Sequence, residues 1–339
     1  MRSRWIVVAL LPLLACSSEP AKHGTGEEPD SGVAVDAGGG ESDAGVDAGE
    51  EDAGVDAGFD AGLPDAGRPN ELVRSWGAPS LLENVNSPAD DQHPTLTHDL
   101  LTLCFSSTRD GGTGNADLYC AKRTDAGAPF GTPYELTTLN STSNEWHPAL
   151  SAKGDEIFFS SNRLTGTNNH DLFHAFWNED AGQYDAPLEV AELNTNNHEG
   201  GPSLTDDGLT LYFDRTTFGN GDLYRTRRVD RAAPFDGDAG VLPGFGTSTR
   251  DNEPSQTPGE SFITFCSFRS RDGGAPPDFY VWGAPLDGGS ATAKPLDIAE
   301  PPGLAACGPF FASDATLYFH AQRDGGVGGA DIYSAPPVR

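Results

Sequence analysis

The stretch "HPTLTHDLLTLCFSSTRDGGTGNADLYCAKR", His93 to Arg123, decides the fold. It holds three short runs of strand length, each rich in β-branched, aromatic or aliphatic residues, and each bounded by Asp, Gly, Asn or Ser. The same arrangement returns four more times before the chain ends. The ladder Pro94, Pro148, Pro202, Pro254, Pro309 is followed about eleven positions later by Phe105, Phe159, Phe213, Phe265, Phe319. A third rung brings Asp117, Asp171, Asp222, Asp278 and Asp331, in "DLY", "DLF", "DLY", "DFY" and "DIY". A unit of roughly 50 residues that contains several short strands is the period of a β-propeller blade.

Within the first unit "HPTLT" reads as an inner strand, "LLTLCFSST" as the second, "DLYCAKR" as the third and "PYELTTLN" as the outer one. The fifth unit stops after "DIYSAPP" and lacks its outer strand. The missing piece lies upstream. Pro79, Leu82, Val85 and Asn86 are repeated about 54 residues later by Pro133, Leu136, Leu139 and Asn140, and again by Pro187, Val190, Leu193 and Asn194. "APSLLENVN" is therefore an outer strand without a blade of its own. Given to the fifth blade it closes the ring and removes an open sheet edge. The expectation is an all-β chain with one propeller over 73–339, of five four-stranded blades. Six blades is the alternative, for which little sequence is left.

"GPSLTDDGLTLYFD" (Gly201 to Asp214), "FSSNR" (Phe159 to Arg163) and "GGADIYSA" (Gly328 to Ala335) resemble the WD-like propeller repeats of TolB-type proteins. That resemblance implies the fold and a cell-envelope setting, with a peptidoglycan-associated lipoprotein as one partner of the family. It carries no activity, because function belongs to sites grafted on a fold.

The N-terminus supports the same setting. Arg2 and Arg4 precede an apolar run, Trp5 to Leu14, that is too short to span a bilayer. The run ends in "LLAC", which resembles a bacterial lipobox, with 1–15 as signal peptide and Cys16 as the lipidated residue. Ser17 and Ser18 after it, by the same resemblance, favour the outer membrane. From 16 to 72 the chain repeats Asp-Ala-Gly and has almost no large apolar residue, so it reads as a disordered acidic tether. The triplets lack the ligand order of a calcium loop. The formal net charge of -30 disfavours a nucleic-acid partner, since phosphate contacts need clustered Lys and Arg. Removing Cys16 leaves Cys104, Cys120, Cys266 and Cys307, an even number for an oxidising compartment. Two bridges are expected, Cys104 to Cys120 across a hairpin and Cys266 to Cys307 between adjacent blades; four buried thiols is the alternative.

Two sets of polar residues recur with the repeat. Arg109, Arg163, Arg269 and Arg323 follow the strand Phe by four positions, with Arg215 two positions early in the third unit. They read as structural ion pairs with the third-strand acids Asp117, Asp171, Asp278 and Asp331, because repetition in every blade suits architecture better than an anion site. Asp91, Glu145, Glu199 and Asp251 stand three residues before the repeat Pro, with His93, Trp146 and His147 nearby. These residues are the candidate ligand rim, an anionic collar at a channel mouth drawing a cation or a basic segment. The other reading is that each acid bonds backbone amides of the neighbouring blade. No G-x-S-x-G, H-E-x-x-H, P-loop or zinc-spaced Cys/His cluster occurs. The sequence expectation is thus a monomeric, lipid-anchored envelope module, not an enzyme and without cofactor, that binds a protein, peptide or glycan. The rival is a glycoside hydrolase using channel carboxylates.

Overall fold

The computed structural model describes residues 75–166, 169–217, 220–246, 248–269, 280–299 and 306–338. The expected signal peptide, Cys16, the expected acidic tether and Asp278 lie outside the described residues. Five antiparallel sheets form the ring. In the first blade the strands are Asp91–Leu96, Thr102–Ser107, Asp117–Lys122 and Tyr134–Glu135, from axis to rim. The second runs Glu145–Leu150, Glu156–Ser161, Asp171–Asn178, with Leu188–Glu189 and Gln183–Tyr184 both on the third strand. The third runs His198–Leu204, Thr210–Thr217, Asn220–Arg227, Gly240–Val241, and the fourth Asp251–Gln256, Phe262–Ser267, Tyr280–Pro285, Lys294–Pro295. The fifth takes Ala306–Phe311, Leu317–Ala321 and Asp331–Ala335 from the end of the chain, and Ser80–Leu81 from its beginning.

That last pairing closes the ring as the upstream outer strand required, with Ser80 opposite Ser334 and Leu81 opposite Tyr333. The inner strand Ala306–Phe311 then packs beside Asp91–Leu96. A second clasp lies just before it. Ser75–Trp76 pairs in parallel with Asp297–Ile298 of the fourth unit, and Trp76, 1% exposed, also bridges to Pro337.

The sequence ladders correspond to particular contacts. Phe105, Phe159, Phe213, Phe265 and Phe319 are all fully buried. Four of them stack on the aromatic of the third strand: Phe105 on Tyr119, Phe159 on Phe173, Phe213 on Tyr224 and Phe319 on Tyr333. Burying each ring contributes about 1.5–3 kcal/mol. Asn86, Asn140 and Asn194 accept from one main-chain amide of the third strand and donate to the carbonyl of the same residue, at Ile332, Leu118 and Leu172. A side-chain amide thereby extends an outer strand only two residues long.

The repeat Pro has a matching cause. In every inner strand the register slips so that two residues oppose one, for example His93 and Pro94 against Phe105. Proline suits the unpaired place because it has no N–H to leave unsatisfied. The residue before it adopts positive φ in all five blades: His93 (56), His147 (54), Gly201 (50), Glu253 (55) and Gly308 (59). The bulge redirects that residue toward the axis.

Two disulfides close the pattern. Cys104–Cys120 joins directly opposed positions of the second and third strands in the first blade. Cys266–Cys307 ties the second strand of the fourth blade to the inner strand of the fifth.

Candidate functional site

The repeated charges belong to the scaffold, with partners that differ from those expected. Arg109 pairs with Asp91 (2.6 Å), Arg163 with Glu145 (3.0 Å), Arg215 with Glu199 (2.7 Å) and Arg269 with Asp251 (2.6 Å). The expected pairs of Arg109 with Asp117 and Arg163 with Asp171 are corrected accordingly. The register explains the choice. Asp91 lies opposite Ser107 and Glu145 opposite Ser161, so an Arg two residues past that Ser folds back over the inner strand. Arg109, Arg163 and Arg215 there also donate to the carbonyls of Val85, Leu139 and Leu193 and cover the stacked aromatic pairs. In the fifth blade Ala306 replaces the acid, and Arg323 lies over Tyr333.

Asp117 and Asp331 cap their own hairpin turns instead, accepting from the amide of Gly114 and from those of Val327 and Gly328. Burial pushes Asp117 and Asp171 up to about 6.

The collar is corrected in the same way. Asp91, Glu145, Glu199 and Asp251 are all fully buried, and none of them lines the axial cavity. Besides its Arg, Glu145 accepts from Ser141 and Ser161, and Glu199 from Thr195. Asp91, Glu145 and Glu199 thus hold the loops that enter their blades. Trp146 stands behind the cavity wall, its ring edge-on to His93 at 5.6 Å.

The axial cavity has a volume of about 260 Å³ and is lined by all five inner strands and the turns that follow them. His93 and His147 are on its wall, and so are four carboxylates that the repeat arithmetic did not single out: Asp206, Asp207, Glu253 and Glu260. No Lys or Arg is among the lining residues described. At the mouth, His98 of the first blade reaches Asp206 of the third, Nε2 to Oδ2 3.8 Å.

The floor is formed by the residues before the prolines. Glu253 Oε1 lies 3.7 Å from His93 Nε2 and 3.6 Å from His147 Nε2. The His93 ring centroid is 3.9 Å from that of His147 and 4.8 Å from that of His320. The residue one past the strand Phe supports this floor, because it faces the bulge of the next blade. Ser106 Oγ accepts from the His147 amide, Asp214 from the Glu253 amide and His320 Nδ1 from the His93 amide. The fourth blade has Cys266 there, committed to its disulfide, and the Gly308 amide donates to Glu253 Oε2 instead, at 2.7 Å. Gly308 is required as glycine: a Cβ would stand 2.6 Å from His320 Nδ1.

Burial, with His147 and His320 adding to it, holds His93 well below the usual imidazole range, and burial lowers His320 to about 4. Burial alone would raise Glu253, but His147, His320 and the Gly308 amide outweigh it and keep the carboxyl low. At neutral pH the floor therefore presents the Glu253 carboxylate beside the neutral imidazoles of His93 and His320. His93, Glu253 and His320 bring one ligand atom each within 4.8 Å of one another, which makes them the residues able to hold a metal. Glu253 and His320 were missed in the sequence. Their signal was present in the residue beside the Pro and the residue beside the Phe.

No protein-family profile matches the chain, and no curated protein matches it in sequence. Among solved structures it is similar to TolB from Acinetobacter baumannii, at 16% identity and a TM-score of 0.42, covering 69% of this chain and 53% of that one. It is also similar to an arabinanase from Bacillus subtilis, at 13% identity and a TM-score of 0.48, covering 76% and 97%. An α-L-arabinofuranosidase from Podospora anserina follows at 13% and 0.44, covering 77% and 95%. Likenesses this distant assign no role to the site, so the reading below rests on the geometry of this chain.

Proposed function

We propose that the chain is a binding module of the cell envelope whose axial cavity takes the positively charged end of a ligand, such as a lysine side chain or the amino terminus of a peptide. The observation that carries this reading is a concave site with four carboxylates and no lysine or arginine among its described lining residues. Its volume, about 260 Å³, lies at or below the usual range of small-molecule pockets. It suits one side chain or chain end, with the rest of the partner resting on the mouth loops. A lipid on Cys16 and the acidic tether would hold the propeller near a membrane while letting it search.

The test is titration of a panel of short basic, neutral and acidic peptides against the full chain. Basic peptides should bind best, weaken as salt rises, and lose at least about tenfold in affinity when Asp206 and Asp207 are both changed to Asn. Equal binding of acidic and basic peptides would sink the proposal. Turnover of a chromogenic glycoside that Glu253→Gln abolishes would replace it with the carbohydrate-active reading.

A further inference from the structure

The floor of the cavity carries a second inference, which shares Glu253 with the reading above. Five equivalent backbone positions have positive φ, and glycine is the residue that adopts such a conformation without strain. Two of the five are glycine. The other three are His93, His147 and Glu253, and those side chains converge on one point. Holding a non-glycine residue there costs of order 1–3 kcal/mol at each site, so the convergence works against backbone preference.

Hydrogen bonding among the three does not account for it. The 3.6 and 3.7 Å separations around Glu253 Oε1 exceed hydrogen-bond length. The 3.7 Å between His93 Nε2 and Glu253 Oε1 is a few tenths of an ångström wider than the edge of a small coordination polyhedron, and His320 brings a ligand atom within 4.8 Å of both. Zinc bonds of about 2.0–2.2 Å in a tetrahedron put neighbouring ligand atoms roughly 3.3–3.5 Å apart. We propose that the channel floor is a transition-metal site, best suited to Zn²⁺, in which His93, His320 and Glu253 are the protein ligands and the fourth position opens into the cavity beside His147.

The surroundings are those of a ligand set already oriented. Glu253 Oε2 is held by the Gly308 amide, which leaves Oε1 to face the imidazoles. His93 Nδ1 lies 3.3 Å from Ser106 Oγ, which turns its Nε2 inward. Ser160 Oγ, which also donates to the Trp146 carbonyl, lies 2.9 Å from His147 Nδ1 and turns His147 Nε2 toward the same point. Outer contacts of this kind fix imidazole ligands in metal sites. Two imidazoles and one carboxylate suit zinc and disfavour magnesium or calcium, which take oxygen sets. The four described cysteines do not compete, being joined in disulfides.

The experiment uses the tag-free full chain, stripped with EDTA and titrated with Zn²⁺ against a chromophoric chelator, with Co²⁺ as a spectroscopic substitute. The expected result is one equivalent bound per chain, visible Co²⁺ bands of tetrahedral intensity, and partial quenching of tryptophan fluorescence by Co²⁺. Glu253→Gln and His320→Gln should each weaken binding at least about tenfold. Substoichiometric binding, or equal affinity in both variants, overturns the site. If either variant fails to fold, X-ray absorption of the zinc-loaded natural protein decides: two or more imidazole ligands support the site, and an oxygen-only shell, as acids of the N-terminal segment would supply, overturns it. Changing Asp206 and Asp207 to Asn should leave zinc affinity unchanged, so the mouth and the floor can fail separately.

Discussion

Two columns of residues run around the ring two positions apart in sequence, and they behave in opposite ways. Three before the Pro stand Asp91, Glu145, Glu199 and Asp251, each fully buried and each paired with an Arg of its own blade. One before the Pro stand His93, His147, Gly201, Glu253 and Gly308, facing the axis. The first column is nearly uniform because four blades use it in the same way, to hold an Arg over the inner strand. The second varies because its members meet at one place, where five copies of one residue would collide or repel. Regularity marks the frame, and broken regularity marks the site.

The largest expected effect lies in the first column. Glu145→Ala leaves the guanidinium of Arg163 without its partner and removes the acceptor for Ser141 and Ser161. Breaking a buried pair from one side costs about 3–5 kcal/mol. Denaturant unfolding should show a loss of that size with an unchanged slope. A change below about 1 kcal/mol would mean that the uniform column does not hold the blades and would weaken the contrast.

The second column should respond quite differently. His147→Gly substitutes the residue that two other blades already carry, at a backbone angle glycine accepts without strain. The ring loses its contact with Ser160, but that hydroxyl keeps the Trp146 carbonyl as partner. Relief of strain and loss of contact nearly offset, so stability should stay within about 1 kcal/mol of the natural chain while the chemistry of the floor changes. Unfolding in denaturant, run beside Glu145→Ala, makes the comparison direct. A loss as large as that of Glu145→Ala would make the pre-proline histidine architectural.

The sequence reveals these two columns unequally, for a physical reason. Blade number and the borrowed outer strand follow from periodicity, since a repeated strand must bury the same face each time, and both disulfides from an even cysteine count placed on those strands. The Asn86, Asn140 and Asn194 ladder was visible too, although its role as a side-chain extension of the outer strand needed coordinates. The site escapes the repeat pattern because its members do not recur from blade to blade. Glu253 and His320 occupy columns whose other members are His, Ser, Asp, Cys or Gly, so no repeated letter draws the eye. Nor does the sequence disclose the bulge that makes the pre-proline residue, rather than the acid two positions earlier, face the axis. The partner of each Arg was lost for a similar reason, because it depends on register at a strand end.

The smallest effect concerns the third-strand acids, and it separates capping from ion pairing. Asp117 accepts from the amide of Gly114, and burial raises its carboxyl from the ordinary 3.8 to about 6, with the charges of Glu135 and Glu145 adding to the rise. A folded-state value raised above the unfolded one contributes stability that is complete below pH 3.8 and is lost as pH rises through about 6. Asp117→Asn keeps an acceptor oxygen for the turn and has no proton to lose. Thermal unfolding of the two proteins should therefore nearly coincide near pH 4, separate up to about pH 6 and stay apart above it, the Asn form being the more stable by about 1 kcal/mol after allowance for solvent screening. Had Asp117 been the partner of Arg109, its carboxyl would sit below the usual range and the Asn form would be the weaker at neutral pH. The sign of the difference at pH 7 thus reports which acid the arginine holds.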